Sequence, residues 1–443
     1  MKRRKFIQNT AIFGAGGMVI TPGFLKAASQ KKIISANEKL RFGVIGCNGM
    51  GWSDTRSLLK MDDVELIAIA DVDQNVIKKR VAEYGEIRSN KLTTYGDYRK
   101  LLENKDIDFV VIGTPDHWHC KMMVDAVQAG KDVYVEKPIA NSIEECNLMV
   151  DAAAQTGKVV QVGQWQRSGT HYQQALEIIQ SGNLGKIRVV KVWAYQGWMK
   201  PIPVKPDGSA PDGVDYNFWL GPAPQRPFNP NRFHFNFRWF WDYAGGLMTD
   251  WGVHEIDIAL YFMGATAPKS VMASGGKLAY PDDASETPDT LQTVFEYDDF
   301  TMLWEHATGI DNGPYGRGEG IAFVGNNGTM VVNRQGLEII IERDMGRRLM
   351  EPVEIIRPPA GANYLDFHTQ NFVTAVKEKD PSMLATHIKS GAIAAINAQM
   401  GNIAYRTQSK VYWDKEKGQF IKNRAANKLI KASYNNGWEL PKV

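Results

Sequence analysis

The stretch from Leu40 to Gly51 constrains the fold more than any other part of the 443-residue chain. Leu40-Arg41-Phe42-Gly43-Val44-Ile45 runs straight into Gly46-Cys47-Asn48-Gly49-Met50-Gly51. A short apolar run that closes on glycines reads as a buried parallel strand turning sharply into a helix. Gly46 and Gly51 fall at the first and third positions of G-x-G-x-x-G. At that spacing the backbone can approach a dinucleotide pyrophosphate, and the helix N-terminus supplies free N–H groups. Asn48 stands in the middle position beside Gly49. Asn tolerates a positive φ better than most residues, so the turn is expected to survive there. Gly46, Asn48, Gly49, Met50 and Gly51 are thus expected at the cofactor. Asp71 closes the next apolar run, residues 64–70, about twenty residues beyond Gly51, where a carboxylate accepts from ribose hydroxyls. It would repel a 2′-phosphate, which favours NAD over NADP. The plainer role for Asp71 is a strand-end cap.

The pattern then repeats. Apolar runs at residues 109–113, 133–135 and 159–162 alternate with helical stretches at 51–60, 74–84, 98–103, 120–129 and 143–156. Strands alternating with helices at this spacing build a doubly wound parallel sheet, here a Rossmann domain over residues 40–163. Beyond residue 164 the period changes. A helix at 171–180 and a strand at 187–193 lead into an aromatic, proline-rich stretch, 195–241. Strands follow at 290–297, 301–306, 320–324 and 328–332, with Gly325-Asn326-Asn327-Gly328 as a turn. Helices at 365–378 and 390–406 close the body, and a polar tail, 408–443, ends the chain. The predicted class is α/β: an N-terminal Rossmann sheet plus a C-terminal α+β domain (164–407) with a large, mostly antiparallel open sheet.

Lys2, Arg3, Arg4, Lys5 and Lys26 hold much of the charge, with no acid in the first thirty residues. Taking those five from the formal +3 leaves −2 for the rest, which gives no electrostatic reason for a nucleic-acid partner. Arg3-Arg4-Lys5-Phe6-Ile7-Gln8 resembles a twin-arginine export signal, and residues 1–30 are read as that segment, with 31–39 as a linker. The apolar stretch behind it is far short of the ~20 residues that span a bilayer, so no permanent membrane span is expected. Export to the periplasm is the predicted localisation, against a basic tail on a cytoplasmic protein. Cys47, Cys120 and Cys146 show neither a paired framework nor metal spacing, and are read as buried thiols.

Three further motifs narrow the reading. Gly113-Thr114-Pro115-Asp116-His117-Trp118-His119 follows one strand and Glu136-Lys137-Pro138 the next. Asp250-Trp251-Gly252-Val253-His254 opens a helix after Asp242-Tyr243-Ala244-Gly245-Gly246. With the glycine loop and Asp71, these resemble the glucose–fructose oxidoreductase / inositol dehydrogenase / rhizopine-catabolism family over the chain from about Leu40 onward. The resemblance implies an NAD(P)-dependent oxidoreductase. In it, Lys137 would reach the reacting hydroxyl and the nicotinamide ribose, and Asp250 and His254 would assist proton transfer. Thr114, Pro115, His117, His119 and Glu136 would line the cofactor, with Gln164 near the nicotinamide.

Those residue types suit the chemistry. His254 has an intrinsic pKa close to neutrality, fit for a base that takes a hydroxyl proton. Asp250, four residues earlier, would share its helical face and orient the imidazole. Lys137 would stabilise a developing alkoxide. Alone, His254 would read as a core histidine. The pair His117 and His119, in a strand-end loop, has no completed ligand set, so no metal is predicted. Six of the twelve tryptophans fall between Trp193 and Trp251; most should pack the core, with one or two against a sugar. The substrate class implied is a carbohydrate or polyol, and an exported enzyme would need its nucleotide restored within each cycle. The alternatives are a redox-neutral, NAD-dependent glycoside hydrolase, lyase or epimerase, and a non-catalytic sugar-binding protein. The C-terminal sheet is expected to support a homo-oligomer.

Overall fold

In the computed structural model, residues 39–443 are described; the export segment and most of the linker lie outside them. The N-terminal half builds β1 (Leu40–Ile45), α1 (Gly49–Leu58), β2 (Val64–Ala70), α2 (Gln74–Ile87), β3 (Thr93–Tyr95) and α3 (Tyr98–Leu102). It continues with β4 (Phe109–Ile112), α4 (Asp116–Gln128), β5 (Asp132–Val135), α5 (Ile143–Thr156) and β6 (Val160–Val162). Six parallel strands in the order β3-β2-β1-β4-β5-β6 form a doubly wound sheet. Its order reverses between β1 and β4, and a crevice opens there at the carboxyl ends of the strands. Every residue of β4 is buried, as a strand covered on both faces requires. Local signals set the helix ends. The Ser142 side chain accepts from the Glu145 N–H and donates to its carboxylate, and Gly157 stops α5 at φ 63°. The edge strand β3, three residues long and partly exposed, has no apolar run to announce it.

The second half adds α6 (Thr170–Gln180), β7 (Val189–Gln196), α7 (Tyr216–Leu220), α8 (Leu247–Asp250), α9 (Gly252–Met263), β8 (Ser270–Gly276), β9 (Thr290–Glu296) and β10 (Thr301–Thr308). Then come β11 (Glu319–Val324), β12 (Gly328–Asn333), β13 (Gly336–Ile341), the hairpin β14 (Arg343–Asp344) and β15 (Arg347–Arg348), α10 (Tyr364–Glu378) and α11 (Ile388–Thr407). The chain ends with β16 (Val411–Asp414), β17 (Gln419–Phe420) and α12 (Arg424–Lys428). Nine strands form one open sheet, β13-β12-β11-β7-β10-β9-β8-β16-β17, antiparallel except where β7 meets β10. The almost fully buried α9 packs on β7 and α11, and α11 in turn packs on α5 and β6. The site-bearing helix is thereby fixed against both sheets.

Two segments reach back. α10 lies against α1, and Phe372, fully buried, sets its ring edge-on to Phe109 at 5.2 Å and to Tyr134 at 5.7 Å. Ser57 Oγ donates to the Asp366 carboxylate over 2.7 Å. The tail is not merely polar. Trp438 stacks on Phe218 at 5.6 Å and meets Trp118 edge-on at 4.8 Å, under the Arg99 guanidinium. Tyr434 donates to Glu145 over 2.9 Å. Widely spaced aromatics in a polar stretch have no periodicity, which is why the sequence pattern does not reveal this packing. No helix among the described residues is long and apolar enough to cross a membrane.

Phe372→Ala should cost about 3–5 kcal/mol, since truncating a fully buried ring leaves a cavity between α10 and the parallel sheet. A urea midpoint close to wild type would show that α10 does not hold that sheet.

Candidate functional site

A cavity of about 550 Å³ lies at the carboxyl ends of the parallel strands, walled on its open side by the second domain. Gly46 and Gly51 explain how the backbone makes room. Gly46 sits at φ +80°, and a Cβ on Gly51 would come within 2.1 Å of the Gly46 carbonyl oxygen. Asn48 caps α1 through its backbone at φ −97°, without a side-chain cap bond, so first-turn N–H groups stay open to an anion. The positive φ expected at Asn48 is carried by Gly49, at +46°. Glycine pays no Cβ penalty there, and Asn48 instead accepts from Arg80 over 3.2 Å.

Gly46, Asn48, Gly49, Met50 and Asp71 line one side of the cavity. The Asp71 carboxylate accepts from the backbone N–H groups of Cys47 (2.8 Å) and Asp73 (3.0 Å), so it is held rigidly at the tip of β2. Burial raises its pKa, against those two donors and nearby His234. Thr114, Pro115, His119, Glu136 and Lys137 line the other side. Burial pushes the Glu136 carboxyl up to about 7, and its Oε1 has no hydrogen-bond partner, an orphaned acceptor beside the cavity. Open N–H groups, a fixed carboxylate and an unpaired acceptor fit a dinucleotide.

Three expected cofactor residues do not line the cavity. Gly51 acts by close packing beneath it. His117, like His119, belongs to the first turn of α4 and not to a loop, because Pro115 serves as N-cap and lets the helix begin at Asp116. His117 turns toward Trp219 and Tyr243 and sits 3.1 Å from the Trp219 carbonyl. Burial lowers its pKa to about 3. Gln164, 2% exposed, donates to the Val253 carbonyl over 2.9 Å and so ties the end of β6 to α9. Among the described residues no group of three or more His, Cys, Asp or Glu side chains is placed to hold a metal ion.

At the inner end, Lys137 Nζ donates to the Asp250 carboxylate (2.8 Å) and to the Asp250 carbonyl (3.0 Å), joining the two domains. Burial pushes the Asp250 carboxyl upward, but Lys137 and Arg238 outweigh this and hold it below the usual carboxylate range. The expected Asp250–His254 pair does not form. Asp250 ends α8, and its carboxylate is committed to two cations, partners that a neutral imidazole does not displace. His254, 6% exposed, sits between Trp165 and Trp251 (5.8 and 6.2 Å), with Nδ1 unpartnered. It is not on the cavity wall. Burial, then the charges of Lys137 and Arg334, hold its pKa well below the ordinary 6.5.

Sequence reasoning missed the segment that closes the cavity. His234, Phe235, Phe237 and Arg238 all line it. His234 Nε2 lies 2.9 Å from the Asp73 carboxylate at one end. At the other, Arg238 donates to Asp250 over 3.3 Å, its guanidinium held by the Phe235 and Phe237 rings at 4.7 and 4.6 Å. Asp116, also missed, is driven by burial to about 8. An Arg flanked by aromatics inside an irregular stretch was the only available signal.

Comparison with known proteins agrees with this architecture. A family model described as "Oxidoreductase family, NAD-binding Rossmann fold" matches residues 40–164, and its companion, "Oxidoreductase family, C-terminal alpha/beta domain", matches 186–311. Together they take in more than half of the chain. An alpha-N-acetylgalactosaminidase from Shewanella oneidensis is 32% identical over 170 residues, 37% of each chain. A glycosyl hydrolase family 109 protein from another Shewanella is 35% identical over 152 residues, 33% of each. The match therefore spans about a third of these curated relatives. Among solved structures, the WlbA dehydrogenase of Bordetella pertussis, in complex with NADH and UDP-GlcNAcA, superposes with a TM-score of 0.62 at 18% identity, covering 85% of this chain and 99% of that one. The aldose–aldose oxidoreductase of Caulobacter crescentus, complexed with glycerol, gives 0.62 at 18%, covering 85% and 100%. At these identities the likeness is one of fold.

The matched family is NAD-binding, and the lining of this cavity fits that cofactor. Gly51→Ala should abolish NAD retention, because its Cβ would displace the Gly46 turn from the phosphate position; fluorescence of NADH carried through gel filtration reads this out. Wild-type occupancy in that variant would remove the glycine turn from the cofactor site.

Proposed function

This chain belongs to that oxidoreductase family, and on this premise we propose that it oxidises a secondary hydroxyl of a carbohydrate or polyol beside Lys137. Bound NAD supplies the hydride acceptor. The observation that carries the reading is the buried Lys137–Asp250 pair with neutral His254 close by. Lys137 spends two of its three N–H donors on Asp250. The third is left for the substrate oxygen, where it would stabilise negative charge as the hydroxyl proton leaves. His254 lies behind the cavity wall, unpaired at Nδ1 and kept neutral, and as proton acceptor it would require a substrate that reaches past Lys137 to it. Asp250 acts on Lys137, as a positioning residue.

A second reading has support of its own. The two Shewanella relatives above are named as glycosidases, which favours redox-neutral cleavage of a glycoside after transient oxidation. Incubating the protein with sugars and aryl glycosides separates the two. NADH accumulates in the first case, and aglycone is released without net NADH in the second. The twin-arginine-like segment supports an exported protein, in which a nucleotide restored in each cycle would suffice. The outward face of the second sheet, with Lys191 and Met272 exposed, supports self-association, and sedimentation as a strict monomer would contradict it.

Lys137→Ala should lower turnover by at least about 10²-fold, the scale for losing one preorganised donor, and should also lower the melting temperature, because the buried Asp250 carboxylate then keeps only Arg238; turnover is therefore read well below the variant's own unfolding. Activity within a few-fold of wild type would dismiss the proposed centre. The pH profile is a separate check. A base with a lowered pKa loses function only when pH falls through that lowered value, so His254 should add no acid limb near its ordinary 6.5, and any limb between about pH 6 and about pH 8 should belong to Glu136 or Asp116 and move in Glu136→Gln or Asp116→Asn. An acid limb at or above the ordinary histidine value that neither Glu136→Gln nor Asp116→Asn moves would exclude His254 as that base.

A further inference from the structure

A second cavity, of about 130 Å³, opens on the far side of Phe235 from the NAD site, so this ring belongs to both walls. Trp198 and Phe235 form its rim. They are 51% and 52% exposed and meet edge to face at 5.9 Å. Two half-exposed large rings side by side form an apolar surface awaiting a partner. Its other walls are mixed, with Met199, Ile202, Trp239 and Leu247 as apolar surface among polar groups. Lys200 and Asn236 bring an ammonium and an amide, and Tyr280 a phenol. Thr308 lies 7% exposed, with its hydroxyl unpartnered. A buried hydroxyl without a partner is costly, and an entering ligand hydroxyl would remove that cost.

The carboxylates lining this cavity are already committed. Asp283 accepts from Ser285 and from the Ile202 N–H. Asp289 accepts from the N–H groups of Leu278, Ala279 and Tyr280 and from the Thr290 hydroxyl. What remains is aromatic and aliphatic surface, from Trp198, Phe235, Trp239, Ile202 and Leu247, with the Asn236 amide, the Tyr280 and Thr308 hydroxyls and the Lys200 ammonium. That set suits a ring with apolar C–H faces and equatorial hydroxyls. The cavity also stands at the right remove. Leu247, which opens α8, lines it, and Asp250, which closes α8, holds Lys137. One helical turn separates them, on the order of 5 Å along the axis, about the span of one sugar ring.

We propose that this cavity is a distal sugar subsite, taking the second ring of a glycoside whose first ring lies at Lys137. The inference rests on the carbohydrate reading above and deepens it: the substrate is a disaccharide or longer glycoside, not a free monosaccharide. The test uses holoenzyme with methyl glucoside, methyl galactoside and methyl N-acetylgalactosaminide, each beside disaccharides ending in the same sugar. Wild type should turn over a disaccharide at least tenfold better in kcat/KM than its methyl counterpart. Trp198→Ala and Thr308→Val should each shrink that ratio severalfold, through KM. Equal kcat/KM for the two probes, or variants that lower both alike, would overturn the subsite while leaving the carbohydrate reading intact. Turnover of none of the probes, with no change in tryptophan fluorescence on titration with any of them, would overturn both.

Discussion

The ion pair between Lys137 and Asp250 governs the rest of the site. Each partner comes from a different domain, and both are largely withdrawn from water, so neither charge is tolerable without the other. Seating the second domain on the first is therefore also the act that assembles the centre. Asp250 is saturated by Lys137 and Arg238, and this leaves His254 without a carboxylate. A histidine paired with an acid would be drawn toward its charged form. This one, buried and facing cations, is kept neutral.

The charges around that pair are kept in balance. Lys137 and Arg238 face Asp250, while Glu136 and Asp116 nearby are pushed by burial to about 7 and about 8. Acids with such values adjust their ionisation near neutral pH. Behind Glu136, Asp54 is buried with neither oxygen partnered, and burial pushes its carboxyl well up. The site thus rests on a buried, nearly neutral base, in which a single formal charge on the substrate oxygen would be strongly felt.

The parts legible from sequence were those with strong local causes. β1 and its glycine turn were readable because a fully covered strand must be apolar and a tight turn must use glycine. Ile143–Thr156 was readable to its ends because Ser142 and Gly157 mark them. Failures came where two local choices compete or where partners are distant. Gly49 took the positive φ that Asn48 could have adopted. Pro115 started a helix where a loop was expected. The i, i+4 spacing of Asp250 and His254 predicted proximity, but not that cations arriving from positions 137 and 238 would claim the carboxylate. His234 and Arg238 sit in an aromatic stretch with no period to read, and only the fold shows that it closes the cavity.

The inward turn of the C-terminal segment bears on how the molecule is made. Tyr434 bonds to Glu145 across 289 positions of chain, and Gln128 bonds to the Lys442 carbonyl across 314. Trp438 backs Trp118 and Phe218, two of the rings that line the nucleotide cavity. The Rossmann half, although translated first, cannot reach its final packing before residues 434–442 emerge. Its aromatic wall waits for distant chain to arrive, and such non-local closure is slow. A nascent chain would then present a loose nucleotide pocket until residues 434–442 have been made.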